Sequence, residues 1–173
     1  MLEIGHYLIT DWRGAIGTEP TGHCVRDILH ATTGAKVGSV RGSAGTDKGW
    51  LRWFRSYRLE IRETDDESLL LILKRPWRIF RLWDIHDADE QRIGSLYPPS
   101  LLDEDGVRRA FIEQDRLGKG RIVSIDGRIL AETNCLDSHD LQLRFAAELE
   151  ENPFLRMLLL ASVIALDHLP TGA

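Results

Sequence analysis

The densest grouping of side chains that could do chemistry lies between Lys48 and Arg81. Lys48, Trp50, Arg52, Trp53, Phe54, Arg55, Tyr57, Arg58 and Arg62 fall within fifteen residues, and Lys74, Arg75, Trp77, Arg78 and Arg81 follow. Charge is polarised along the chain: Arg41 to Arg81 holds ten Lys or Arg and six Asp or Glu, whereas Asp84 to Asp115 holds three Arg and nine acids. Arg and Lys bind phosphate oxygens through charge-assisted hydrogen bonds, and Trp favours a bilayer interface. Each cation held near an anionic membrane contributes on the order of 1 kcal/mol. The pattern suggests recognition of an anionic phospholipid headgroup through Lys48, Arg52, Arg55, Arg58, Arg62, Lys74, Arg75 and Arg78. The same residues also fit alternate strand positions, with Trp and Phe inward and Arg outward, paired with the acidic half. Both readings stay open.

Other groupings carry less chemistry. Asp84-Ile85-His86-Asp87-Ala88-Asp89-Glu90 could suggest a metal, but Asp is favoured in turns and this stretch sits within a repeated hairpin phrase. Gly42-Ser43-Ala44-Gly45-Thr46-Asp47-Lys48 lacks the glycine that a phosphate loop needs before its lysine. Arg41-Gly42-Ser43-Ala44-Gly45 lacks the spacing of a nucleophile elbow. His6, His23, His30, His86, His139 and His168 form no paired ligand motif. Cys24 and Cys135 form no CxxC and no zinc spacing, so two reduced thiols are expected. No local pattern asks for catalysis.

The bulk composition is that of an ordinary globular domain. The chain has 173 residues, 43% hydrophobic and 28% charged, with a formal net charge of −5. That balance argues against a general nucleic-acid binder. A single domain over residues 1–173 is expected. The N-terminus has no basic n-region and no long apolar run, so no signal peptide is expected and the localisation expected is cytoplasmic, or peripheral at a membrane. The apolar run Phe154 to Leu169 would span about 24 Å as a helix. A spanning helix needs about twenty apolar residues, so this run is too short to cross.

The elements that would position these residues are mostly short strands. Asp27-Ile28 leads through Thr32-Thr33-Gly34 to Val37-Gly38-Ser39-Val40, and Asp84-Ile85 leads through Asp87 to Glu90 into Ile93-Gly94-Ser95-Leu96. Variants join Leu59–Ile61 to Leu69–Leu73 and Arg121–Ile125 to Arg128–Ala131. In the last, Asp126-Gly127 predicts a type I′ turn with positive φ at both residues. Such hairpins must close into a barrel or stack as a sandwich to protect their edges. Gly42 to Gly49 and Tyr97 to Gly106 read as exposed loops. Leu141 to Leu149 alternates with period two and predicts a half-buried strand. Asn152 suits an N-cap and Pro153 the first helical position of the helix that follows. Between Met157 and Leu166 only Ser162 is polar. A helix apolar on every side must be surrounded, and here the natural surround is a closed sheet.

Together these features resemble the phospholipid scramblase, LURP-one-related and tubby C-terminal group. The most specific match is Asp137-Ser138-His139-Asp140, strand Leu141 to Leu149, Glu148-Leu149-Glu150 and an apolar helix ending in Leu166-Asp167, an order similar to the end of the scramblases. The resemblance implies a mainly β fold, a closed antiparallel barrel enclosing a hydrophobic C-terminal helix. It also implies a range of roles: tubby domains bind phosphoinositides, scramblases are associated with calcium-dependent lipid movement, and many LURP-one-like proteins have no assigned activity. Asp137, Asp140, Glu148 and Glu150 match the scramblase acidic segment and so form a candidate calcium site, although His139 interrupts the spacing. The scramblase Pro-rich N-terminal segment and palmitoylated cysteine cluster have no counterpart in this sequence. The function expected is a non-catalytic binding or scaffold module that meets anionic phospholipid through the basic-aromatic region. The alternatives are a protein-interaction or structural barrel, and a calcium-responsive lipid protein. No nucleic-acid partner and no cofactor other than calcium are expected.

Overall fold

The computed structural model describes residues 5–10, 24–44, 57–75, 82–114, 119–136 and 140–167. Twelve strands run in chain order: β1 (His6–Ile9), β2 (Cys24–His30), β3 (Lys36–Ala44), β4 (Tyr57–Glu63), β5 (Leu69–Arg75) and β6 (Trp83–Asp87) precede β7 (Arg92–Tyr97), β8 (Ser100–Asp103), β9 (Arg108–Gln114), β10 (Gly120–Ser124), β11 (Ile129–Cys135) and β12 (Leu141–Phe145). A 3-10 helix, Ala147–Glu151, leads into α1 (Pro153–Asp167). Each strand pairs antiparallel with its sequence neighbours, and β1 closes the barrel on β12 with His6 opposite Arg144 and Ile9 opposite Leu141. Closure leaves no sheet edge open to another chain. The alternatives left open by the hairpin pattern are thereby settled in favour of the barrel.

Up-and-down order gives the barrel two different rims. The hairpins β2–β3, β4–β5, β6–β7, β8–β9 and β10–β11 lie at one, which we term the turn rim. The strand ends at the opposite rim, which we term the far rim, are those that the remaining connections join. All five turn-rim hairpins share one construction. The last residue of the first strand donates its N–H to the carbonyl of the residue that returns: His30 to Ala35 (2.8 Å), Glu63 to Ser68 (3.0 Å), Asp87 to Gln91 (3.0 Å), Asp103 to Val107 (3.0 Å) and Ser124 to Arg128 (2.8 Å). The residue just before the return has positive φ: Gly34, Glu67, Glu90, Gly106 and Gly127. Each returning strand then carries one extra residue, at Val37, Leu70, Ile93, Arg109 and Leu130, where the register shifts. Such bulges bend a strand and increase its twist, which helps a sheet curl to closure.

Four sequence expectations change. Gly42 to Ala44, the start of the loop expected over Gly42 to Gly49, belong to β3 and pair with Leu59, Arg58 and Tyr57, while 45–49 lie outside the described residues. The Asp126-Gly127 turn has positive φ only at Gly127, so it is not type I′. The Gly127 N–H bonds Ser124 O at 3.0 Å, giving a longer loop that ends on a left-handed residue. Tyr97 to Gly106 is not a loop, because it contains β8, whose Ser100, Leu101 and Asp103 are buried. The strand expected over Leu141 to Leu149 stops at Phe145, and the chain turns through the 3-10 helix to enter the barrel mouth.

The core is the helix and the inward faces of the strands. Asn152 caps α1, its Oδ1 accepting the Leu155 N–H at 3.0 Å. The helix enters at the turn rim, where β12 ends. Val163 and Leu166 reach the far-rim ends of the wall at Gly120, Ile122 and Leu141. Leu158 to Ala165 are buried without interruption. Eight consecutive residues exceed two turns at 3.6 residues per turn, so every side of the helix is covered. Tyr7, Ile28, Leu59, Leu73, Trp83, Ile85, Leu101 and Leu143 supply the lining. Ser162 satisfies its hydroxyl on the Leu158 carbonyl at 2.7 Å. Among the described residues no helix is long and apolar enough to cross a membrane.

Candidate functional site

Four of the basic residues singled out in the sequence are placed. On the outer face of β4 and β5, Arg62, Glu60, Arg58, Glu90 and Lys74 form one chain of alternating charge. Glu60 accepts from Arg62 Nη2 at 2.7 Å and from Arg58 Nε at 3.0 Å. Glu90, at the β6–β7 turn, accepts from Arg58 Nη1 at 3.1 Å and from Lys74 Nζ at 2.7 Å. The Arg62 hydrogen bond, joined by Arg58, holds the Glu60 carboxyl below the usual glutamate range despite partial burial. Lys74 and then Arg58 do the same for Glu90. These cations therefore already have carboxylate partners. Arg75 faces inward and is 3% exposed, its guanidinium carbon 5.8 Å from the centroid of the Trp83 ring. Lys48, Arg52, Arg55 and Arg78 lie outside the described residues, with Trp50, Trp53, Phe54, Trp77 and Arg81.

The candidate calcium ligands are not drawn together where they are described. Asp140 precedes β12 at the far rim, and Glu148 follows it at the turn rim. The strand between them is roughly 17 Å long at about 3.3 Å per residue, too far for one ion to touch both carboxylates. Asp137 and the side chain of Glu150 lie outside the described residues. Among the described residues no group of three His, Cys, Asp or Glu could hold a metal. The acidic stretch Asp84 to Glu90 forms the end of β6 and the turn after it, where Asp87 Oδ1 accepts the N–H groups of Asp89 (3.0 Å) and Gln91 (2.8 Å). Cys135 is a free, exposed thiol.

Two concavities involve residues that sequence reasoning missed. A shallow groove of about 820 Å³ runs over the outer wall, where pairing aligns His6, Arg144, Glu132, Arg121 and Glu113 across five strands. Within that row Arg121 Nε pairs with Glu113 at 2.6 Å. A second cavity of about 370 Å³ opens at the turn rim, beside the start of α1, and shares His6 and Arg144 with the first. Its basic side chains come from β1, β2, β12 and α1. No local stretch contains them, so only the closure of the barrel brings them together. Comparison with known proteins assigns no family: no family model, no curated protein and no solved structure matches the chain.

Proposed function

We propose that this barrel is a non-catalytic binding or scaffold module of the tubby, LURP-one and scramblase type, acting at the cytoplasmic face of a membrane. Its ligand class is anionic phospholipid, met at the far rim. One observation carries the reading: Ala44 pairs with Tyr57, and Tyr57 pairs with Arg75. The strand ends that the basic-aromatic stretches 45–56 and 76–81 adjoin in sequence are therefore neighbours on one rim. Because Arg58, Arg62 and Lys74 are tied to Glu60 and Glu90, the cations left for a headgroup are Lys48, Arg52, Arg55 and Arg78.

The test is co-sedimentation with phosphatidylcholine vesicles, with and without phosphatidylserine, at several salt concentrations. Binding that requires phosphatidylserine, weakens with salt and is lost in Arg52→Glu/Arg55→Glu supports the reading. Binding indifferent to those substitutions overturns it.

A second reading, a protein-interaction barrel without a lipid role, draws support from the same ion-pair chain, which leaves little free positive charge on the β4–β5 wall. Exposed Val107, Ile125 and Ile129 at neighbouring hairpins of the turn rim also suit a protein partner. Tryptophan fluorescence separates the two readings, because only lipid docking shields Trp50 and Trp53 from an aqueous quencher when anionic vesicles are added.

A further inference from the structure

We propose that the turn-rim cavity beside the start of α1 binds a small soluble phosphorylated molecule, held by Arg144, Arg156, His6 and His30. This inference is independent of the lipid reading, which concerns the opposite rim. Among the described residues lining the cavity there are two arginines, two histidines and no carboxylate. The nearest acids along the chain and across the sheet are Glu148, one residue past Ala147, and Glu132, paired with Arg144; neither lines it.

Arg156 carries the argument furthest. It is half-buried in the first turn of α1, where the positive end of the helix dipole disfavours a cation. No acidic residue occupies that turn to offset it. Its side chain makes no hydrogen bond or ion pair with any described residue, and neither does that of Arg144. Both arginines line the one cavity, and two cations that share a cavity favour an anion there. His30 also lines the cavity and carries a ring donor. Its Nδ1 accepts the Thr33 N–H at 3.3 Å, which leaves Nε2 as the protonated nitrogen. The Thr32 hydroxyl completes a lining rich in donors.

The chemistry favours a phosphate group. Guanidinium forks match tetrahedral oxyanions bidentately, and a dianion balances two arginines. At about 370 Å³ the cavity lies at the small end of ligand pockets, the size of a phosphorylated sugar rather than a nucleic acid or peptide. A phosphate could arrive on a free metabolite or on a lipid headgroup. We commit to the free form, because the cavity lies beside the helix entrance, at the rim opposite the strand ends Ala44, Tyr57 and Arg75 that border the basic-aromatic stretches.

Isothermal titration calorimetry of the intact chain with pyrophosphate and with fructose 1,6-bisphosphate tests this. Saturable binding is expected, weakened roughly tenfold or more in Arg144→Ala and in Arg156→Ala, as loss of a charge-assisted hydrogen bond would give. Arg144→Lys should recover part of the affinity, and Arg121→Ala, outside this cavity, should leave it unchanged. Arg144 is exposed on the outer wall, so its substitutions test the site even if Arg156→Ala folds poorly. Absence of binding at millimolar pyrophosphate, or binding unaffected in Arg144→Glu, overturns the proposal. Binding only to phosphatidylinositol-phosphate vesicles, with none to the free phosphates, overturns the assignment to a soluble ligand.

Discussion

Gly38 and Gly94 occupy equivalent places in β3 and β7, each at a point of close backbone approach. A Cβ at Gly38 would lie 2.7 Å from the Arg62 carbonyl oxygen, and one at Gly94 2.8 Å from that of Leu102 and 3.1 Å from a methyl of Leu158. Gly38→Ala and Gly94→Ala should each cost about 1–3 kcal/mol in urea denaturation, because neighbouring backbone must move. Gly94→Ala is expected to cost more, since it also presses on the helix; neutral substitutions would contradict this account of the repeated Val-Gly-Ser-Val and Ile-Gly-Ser-Leu phrases. The carboxylates make a second expectation at this scale. Glu60 and Glu90 are held below their ordinary range, so their contribution is full above the unfolded value of about 4.3 and is lost as pH falls through the folded value. Melting temperature should stay level from neutral pH down to about pH 5 and fall below about pH 4. Glu60→Gln/Glu90→Gln should melt lower at neutral pH and show a shallower acid decline. An acid decline as steep as that of the parent chain would show that these ion pairs contribute little.

The repeated element is a bulged hairpin with a left-handed residue before its return. Four of its five copies are legible in the sequence, because an Asp, Thr or Gly cluster stands between apolar pairs. The fifth, β8–β9, escapes because β8 has only four residues and follows Pro98-Pro99, which reads as loop. The bulges themselves are not legible, since an extra residue shows only against the partner strand. Gly127→Ala should cost about 1–2 kcal/mol, and Gly127→Asn clearly less, because Asn tolerates the left-handed region and Ala does not. Equal melting temperatures for the two variants would contradict the turn geometry. The helix is legible from its start through Asp167, the last described residue. Asn152 and Pro153 mark its start, and the uninterrupted apolar run requires an enclosure. The alternation from Leu141 to Leu149 overstates β12, because Leu149 is buried from the 3-10 helix rather than from an extended strand.

At the scale of the whole molecule, the twelve described strands close around α1 and leave two unlike ends. The far rim holds the strand ends Ala44, Tyr57 and Arg75, which border the basic-aromatic stretches in sequence, and the turn rim holds the arginine-histidine cavity. The first candidate site is visible in the sequence because its residues are contiguous. The second is invisible there because His6, His30, Arg144 and Arg156 are far apart until β1 pairs with both β2 and β12. Both sites depend on the helix filling the barrel, because a rigid interior fixes the strand ends and positions Arg156 at the mouth. Truncating that interior should be costly: Leu159→Ala is expected to destabilise by about 2–5 kcal/mol in urea denaturation, whereas a comparable truncation at exposed Phe154 should cost much less. The most direct measurement is amide hydrogen exchange across residues 158–165, read by mass spectrometry on the intact chain. If the barrel encloses the helix, these amides should exchange only through global unfolding and be as slow as any in the protein. Exchange as fast as that of the hairpin turns would mean that the helix lies outside the wall, and the account would fail.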